Sequence, residues 1–204
     1  MHWAPFSNGL PAGDSLKILS LEVDPVDGRN IFVGTADGAF AFTLDASTPF
    51  VPVIEYYAPS LDHYFMAAAS QADVAALDSG AIPGWVRTFQ TFRVLAGPML
   101  GTSPVCRFYI PPAYGDSHFF AASAAECVQV QAKYPFFDLE TPNAFYVYPP
   151  DATGACAQGT VALYRFWDNR PDTNHRYTTD PAVRAQMVAR GWFPEGVVAC
   201  VPSN

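Results

Sequence analysis

The stretch VALYRFWDNRPDTNHRYTTDPAVRAQMVARGWFPEGVVACVPS, residues 161–203, decides how the chain is read. It opens on an aromatic, strand-like run, Leu163-Tyr-Arg-Phe-Trp167, and crosses a polar loop to Asn174-His175-Arg-Tyr177. Asp180-Pro181 then sets an N-cap acid before a proline at the first helical position, where the missing N–H costs nothing. Val183, Met187 and Val188 follow at helical spacing, Gly191-Trp192 ends the helix, and Val197 to Val201 closes as a strand. The predicted order is strand, strand, helix, strand.

Upstream the same order recurs twice, at a period of about fifty residues. One copy runs Val105-Cys-Arg-Phe-Tyr109, Ser117-His118-Phe-Phe120, Ser123-Ala-Ala-Glu126, Phe136-Phe137 and Ala144-Phe-Tyr-Val-Tyr148. The other runs Val53-Ile-Glu-Tyr-Tyr57, Asp62-His63-Tyr-Phe65, Ser70-Gln-Ala-Asp73, Gly84-Trp85 and Thr91-Phe-Arg-Val94. Ser70 with Asp73 and Ser123 with Glu126 have capping-box spacing, which predicts two helix starts. Helices of two to three turns are too short to stand alone and must pack on a sheet. The expectation is therefore an α+β fold of three β-β-α-β repeats (53–97, 105–150, 161–203) making one domain over 53–203.

Residues 1–50 are different. Ile18 to Val23, Ile31 to Thr35 and Ala39 to Leu44 read as three antiparallel strands, joined by Asp24-Pro-Val-Asp27-Gly28 and the hairpin turn Ala36-Asp37-Gly38. The run from Asp24 to Phe40 resembles one blade of a repeat β-propeller of exported bacterial proteins. A propeller needs four or more blades, so no propeller function is carried over. Asp24, Asp27 and Asn30 offer oxygens of the kind calcium takes, and are equally what a turn requires. An open blade edge is a template for strand pairing, so a homodimer through these strands is an expected option.

Residues 53–203 resemble a three-repeat family of exported bacterial proteins, marked by the His-aromatic step at His63, His118 and His175, a short capped helix, and Gly191-Trp192-x-x-Glu195-Gly196. Such domains look like appendages of secreted hydrolases and surface proteins, which implies binding or anchoring. The Glu-Gly step is intact only at Glu195-Gly196; it reads Glu140-Thr141 in the middle copy and Thr88-Phe89 in the first. A site that needs this glutamate is not repeated threefold.

Composition narrows the function classes. Half of the 204 residues are hydrophobic and 15% charged, which excludes a disordered chain. Nineteen acids against eleven bases give a net charge of −8, with Lys17 and Lys133 the only lysines, so nucleic acid and anionic membrane are poor partners. No run approaches a membrane span of about 18 apolar residues, and no signal peptide is visible at the start. Cys106, Cys127, Cys156 and Cys200 include no C-x-x-C pair. They suit two disulfides of an extracellular or periplasmic protein, which makes this chain the expected tail of a longer exported one. Three connectivities exist, and locality favours Cys106 with Cys127 and Cys156 with Cys200.

No G-x-S-x-G, H-E-x-x-H, phosphate-loop or dinucleotide motif is present. His63, His118 and His175 admit three roles: fixing loops through Asp62, Ser117 and Asn174; lining a shallow pocket with Tyr57, Tyr109 and Trp167; or meeting as a His₃ metal site. Trp85 and Trp192 seal helix to sheet or offer a sugar-stacking face, and Glu195 is a hydrogen-bonding or raised-pKa carboxyl. The expected function is a non-catalytic binding or anchoring module for a small molecule, carbohydrate or cell-wall polymer, with no cofactor. The alternative is a small hydrolase of esters, lactones or glycosides that uses calcium or zinc held by histidines and carboxylates to activate water.

Overall fold

A computed structural model describes residues 17–25, 30–36, 38–43 and 50–203. The chain divides into two compact units, Met1–Thr48 and Pro49–Asn204. In the first, β1 (Ile18–Val23), β2 (Asn30–Thr35) and β3 (Gly38–Thr43) form an antiparallel sheet in that order. Asn30 Nδ2 donates to Asp24 Oδ2 at 3.3 Å across the β1–β2 connection. Asp27, the remaining residue of the calcium reading, lies outside the described residues, as does Leu44.

The second unit runs β4 (Phe50–Ala58), β5 (His63–Ala68), α1 (Ala72–Asp78), β6 (Val86–Leu95), β7 (Ser103–Ile110), β8 (Ser117–Ala121), α2 (Ala124–Lys133), β9 (Asp138–Val147), β10 (Thr160–Trp167), β11 (His175–Thr178), α3 (Pro181–Ala189) and β12 (Phe193–Pro202). A single 3₁₀ turn, Pro112–Tyr114, lies between β7 and β8.

This corrects the expected α+β fold of three β-β-α-β repeats. The described residues are mostly β, with three antiparallel sheets and helices of only seven, ten and nine residues. Nor are the sheets three equal units. The order β5-β4-β6-β9-β7-β8 forms one six-stranded sheet, joined in the middle by the pair Leu95↔Tyr146, while β11-β10-β12 stands as a separate three-stranded sheet. The bridge Tyr148↔Cys200 connects the end of β9 to β12. The ladders themselves pair strands of one segment, and only Leu95↔Tyr146 and Tyr148↔Cys200 join segments, contacts that no local pattern encodes.

The helices lean on the sheets through a few side chains each: Val74 and Leu77 from α1, Val130 from α2, Val183 and Met187 from α3. Val188 is exposed instead, because it falls one position beyond the buried stripe. The N-termini follow the sequence in two cases. Ser123 Oγ accepts from Glu126 N at 3.1 Å, and Asp180 Oδ1 accepts from Ala182 N at 2.7 Å. Ser70 does not cap α1; Gln71 occupies the N-cap, and its Oε1 accepts from Ala68 N at 2.9 Å.

The main core draws on every strand group, with Val53, Tyr56, Phe65, Phe120, Phe145 and Leu163 among its members. A second cluster beneath α2 gathers Phe108, Ile110 and Phe119 with Cys106. A third beneath α3 joins Tyr64, Phe166, Met187 and Trp192. Both disulfides expected from locality are present, Cys106–Cys127 and Cys156–Cys200, a bonding state that suits an oxidising compartment. Among the described residues no helix is long and apolar enough to cross a membrane.

All three core clusters lie within the second unit. A chain of residues 49–204 alone is therefore expected to unfold in one cooperative thermal transition, as a compact domain with its own core does. A broad, non-cooperative melt of that chain by calorimetry would refute the division.

Candidate functional site

Each group's first two strands are joined by a loop that an aromatic side chain ties down. Tyr57 donates its hydroxyl to Asp62 Oδ1 at 2.9 Å, Tyr109 to Asp116 Oδ1 at 2.7 Å, and Trp167 Nε1 donates to Thr173 Oγ1 at 2.8 Å. The hydrogen bond to Asp116, then burial, pushes the Tyr109 phenol up to about 12. These three aromatics thus spend their polar tips on the fold. Asp62 and Asp116 both take left-handed backbone conformations at φ 55 and 52, which short Asp side chains tolerate.

The histidines that follow have separate surroundings. His63 is 1% exposed, with Nε2 at 3.3 Å from Asp172 Oδ2 and Nδ1 buried without a partner. His118 Nε2 lies 3.4 Å from Glu140 Oε2, and its ring meets Phe65 edge-on at 4.8 Å. His175 Nε2 lies 3.5 Å from Glu195 Oε2, against Phe119 at 4.8 Å. The three histidines do not meet as a His₃ site, the third of the roles open to them: the sole candidate metal group among the described residues is His63, Asp168 and Asp172. Arg170 already occupies that group, with Nε 3.2 Å from Asp168 and 3.1 Å from Asp172, and Nη1 2.9 Å from Asp62. A guanidinium sits where a cation would.

Three arginines, Arg165 and Arg176 buried and Arg107 mostly so, organise the rest. Arg107 pairs with Glu140 at 2.7 Å and Asp73 at 3.0 Å. Arg165 pairs with Glu195 and Glu126, both at 2.8 Å, and lies over Phe119 at 4.7 Å. Arg176 grips Glu55 with two nitrogens at 2.9 and 2.8 Å and covers Tyr64 at 4.0 Å. Glu55 also accepts from Thr88 Oγ1 at 2.6 Å. Glu195 is therefore an ion-pair partner of Arg165 on the adjacent strand. Sequence reasoning passed over these arginines, although Arg107 and Arg165 stand at the centre of matching strands, with Glu55 in the corresponding place.

One cleft collects the remaining candidates. It encloses about 590 Å³ including its open mouth, between walls that include His63, Tyr64, Trp85, Asp116, His118 and Asn174. Asn174, 1% exposed, fixes this junction: Oδ1 accepts from Tyr64 N at 2.7 Å, while Nδ2 donates to Tyr64 O at 3.0 Å and Ser117 Oγ at 2.9 Å. Gly115 lets two loops meet, since a Cβ there would fall 2.7 Å from the Asp172 carbonyl oxygen. Of the candidate residues, His63, His118 and Trp85 reach the cleft. His175 lines a separate small space with Glu55, Phe120 and Tyr177, and Trp192 is buried in the core beneath α3. Tyr57, Tyr109, Trp167 and Glu195 do not line the cleft.

Two outcomes follow from this electrostatics. Glu55→Ala leaves Arg176 buried and unpaired, so it should lower unfolding free energy by about 3–5 kcal/mol; a urea titration showing a loss under about 1 kcal/mol would contradict the pairing. Burial, then the charge of Arg165, pushes the His175 pKa down to about 3. The unfolded histidine titrates near ~6.5, so between these values the unfolded state binds the extra proton. Stability from this group is complete above ~6.5 and is lost as pH falls toward 3, with a limiting slope of about 1.4 kcal/mol per pH unit. His175→Gln should flatten that dependence, and equal slopes in variant and wild type would show that His175 is not buried neutral.

Residues 52–202 match a family model described as a domain of unknown function, DUF5648. No curated protein matches the chain, and no solved structure does. The match runs from within β4 to the end of β12, across the elements that build the cleft, and the chain belongs to the DUF5648 family.

Proposed function

We propose that this domain is a non-catalytic binding module of an exported bacterial protein and that its ligand, a carbohydrate or cell-wall polymer, sits in the cleft beside Trp85. The observation that carries this is the composition of the cleft wall: the half-buried Trp85 indole and His118 imidazole beside the exposed Asp116, over buried His63 and Tyr64, a mixture of flat apolar faces and polar tips that holds a small polar ligand. No hydrogen bond engages the Trp85 indole N–H among the described residues, and its ring meets Phe65 edge-on at 6.1 Å, which fixes its plane. Other carboxylates nearby are held by cations: Glu140 by Arg107, Glu195 by Arg165, and Asp172 by Arg170. That favours binding over acid–base chemistry. Two disulfides support export.

The same reading has the cleft assembled once, between unlike loops. It treats β1 to β3 as a blade-like segment whose open edges pair with a second copy.

A glycan array probed with the full chain should give saturable binding to at least one polysaccharide. Trp85→Ala should then weaken it roughly tenfold, about 1.4 kcal/mol, with the melting transition still cooperative. An array without any binder, or a Trp85→Ala protein of undiminished affinity, would remove the cleft as a carbohydrate site.

A further inference from the structure

We infer that the site extends beyond the cleft onto an exposed aromatic platform, Tyr114 with Phe136, and that its occupant is an uncharged polysaccharide spanning several sugar rings. This rests on the reading of the cleft as a carbohydrate site.

Tyr114 ends the 3₁₀ turn of the β7–β8 loop, two residues before Asp116 of the cleft wall, so the two backbones are no more than about 7 Å apart. Its ring is 47% exposed and stacks on Phe136, 38% exposed, with centroids 4.0 Å apart and an angle of 28°. The stack is anchored from below. Phe136 meets Phe137 edge-on at 5.3 Å and Tyr134 at 6.1 Å, and these two stack on each other at 4.8 Å while packing on the Phe108–Ile110 core cluster. The Cys106–Cys127 disulfide staples that cluster to α2. The loop itself is held by the Tyr109–Asp116 hydrogen bond, and at Gly115 it passes too close to the Asp172 carbonyl for a side chain. Ring positions are thus set before any ligand arrives, which removes an ordering cost from binding.

Two rigid, partly exposed aromatic rings stacked on each other suit the C–H faces of sugar rings, and their surroundings select which sugars. Asp116 and Asp138 are exposed beside the platform, and Asp116 keeps Oδ2 free of protein hydrogen bonds, so the polar groups on offer accept from hydroxyls. Lys133, over Tyr134 at 5.1 Å, is the nearby cation, in a chain of net charge −8. Acidic polymers are repelled by this face; neutral ones are not. A protein partner fits less well, because two rings among carboxylates fall far short of the roughly 1,200 Å² a stable protein interface buries.

The test is calorimetric titration of the full chain with cello- and chito-oligosaccharides, each as dimer and hexamer, with oligogalacturonate as the acidic comparison. In at least one neutral series the hexamer should bind roughly tenfold more tightly than the dimer. Tyr114→Ala combined with Phe136→Ala should bring hexamer affinity down to the dimer's while dimer binding and the melting transition stay unchanged; Tyr114→Phe should keep the hexamer advantage; Trp85→Ala should weaken both lengths. A wild type that binds both lengths equally, or a double variant that keeps the advantage, overturns the platform and leaves the cleft reading standing. Preference for oligogalacturonate overturns the choice of an uncharged polymer. Failure of every oligomer to bind overturns the inference together with the carbohydrate reading of the cleft.

Discussion

Three arginines buried between carboxylates hold the second unit together. Arg107 on β7 reaches back to Asp73 of α1 and sideways to Glu140 of β9. Arg165 on β10 reaches back to Glu126 of α2 and sideways to Glu195 of β12. Arg176 on β11 closes the series by pairing with Glu55 on β4. Each strand–strand–helix–strand group is thereby locked to the next, and the last to the first. A guanidinium suits the task because it stays charged, offers donors in a planar fork, and lies over the rings of Phe119 and Tyr64. Such pairs add little net stability over a well-packed apolar core, but a mismatched arrangement would strand a buried charge.

The cleft is a consequence of that closure. Its walls come from loops of different groups: the loop around Leu61 to His63, the loop ending at Asp116 and Ser117, and Asn174 just before β11. Asn174 and Arg170 do locally what the buried arginines do globally, clamping the third group's loop onto Tyr64 and Asp62 of the first. With those loops fixed, His63 and His118 face a common space, while His175, in the matching position of the third group, is sealed against Arg165 and Phe119. Equivalent positions in sequence become unequal in chemistry because each has a different neighbour group.

The tryptophans show the same divergence. Trp85 and Trp192 occupy corresponding steps after their helices, yet Trp192 is buried with Met187 and Phe166 beneath α3 while Trp85 stands half-buried at the cleft. Likewise Thr88-Phe89 replaces the Glu-Gly step, and Glu55 replaces the strand arginine, so the acid and base of the first group's ion pair arrive from reversed directions.

What the sequence determined by itself was local. The strand positions, the helix starts at Ser123 and Asp180, and the two short-range disulfides all depend on residues close along the chain or within one group, where propensity and spacing act directly. The α1 cap misled because the helix begins one residue later than the spacing suggests, with Gln71 at the N-cap and no side chain capping it. Only the tertiary structure decided that two groups share a six-stranded sheet through Leu95 and Tyr146, that the protein is mostly β rather than α+β, and that the three histidines part company. Glu55 and Arg176 are 121 residues apart, and Asn174 and Tyr64 are 110. A pairing across such distances is selected by desolvation and charge matching after the chain has folded, and carries no periodicity or spacing that a linear reading can detect.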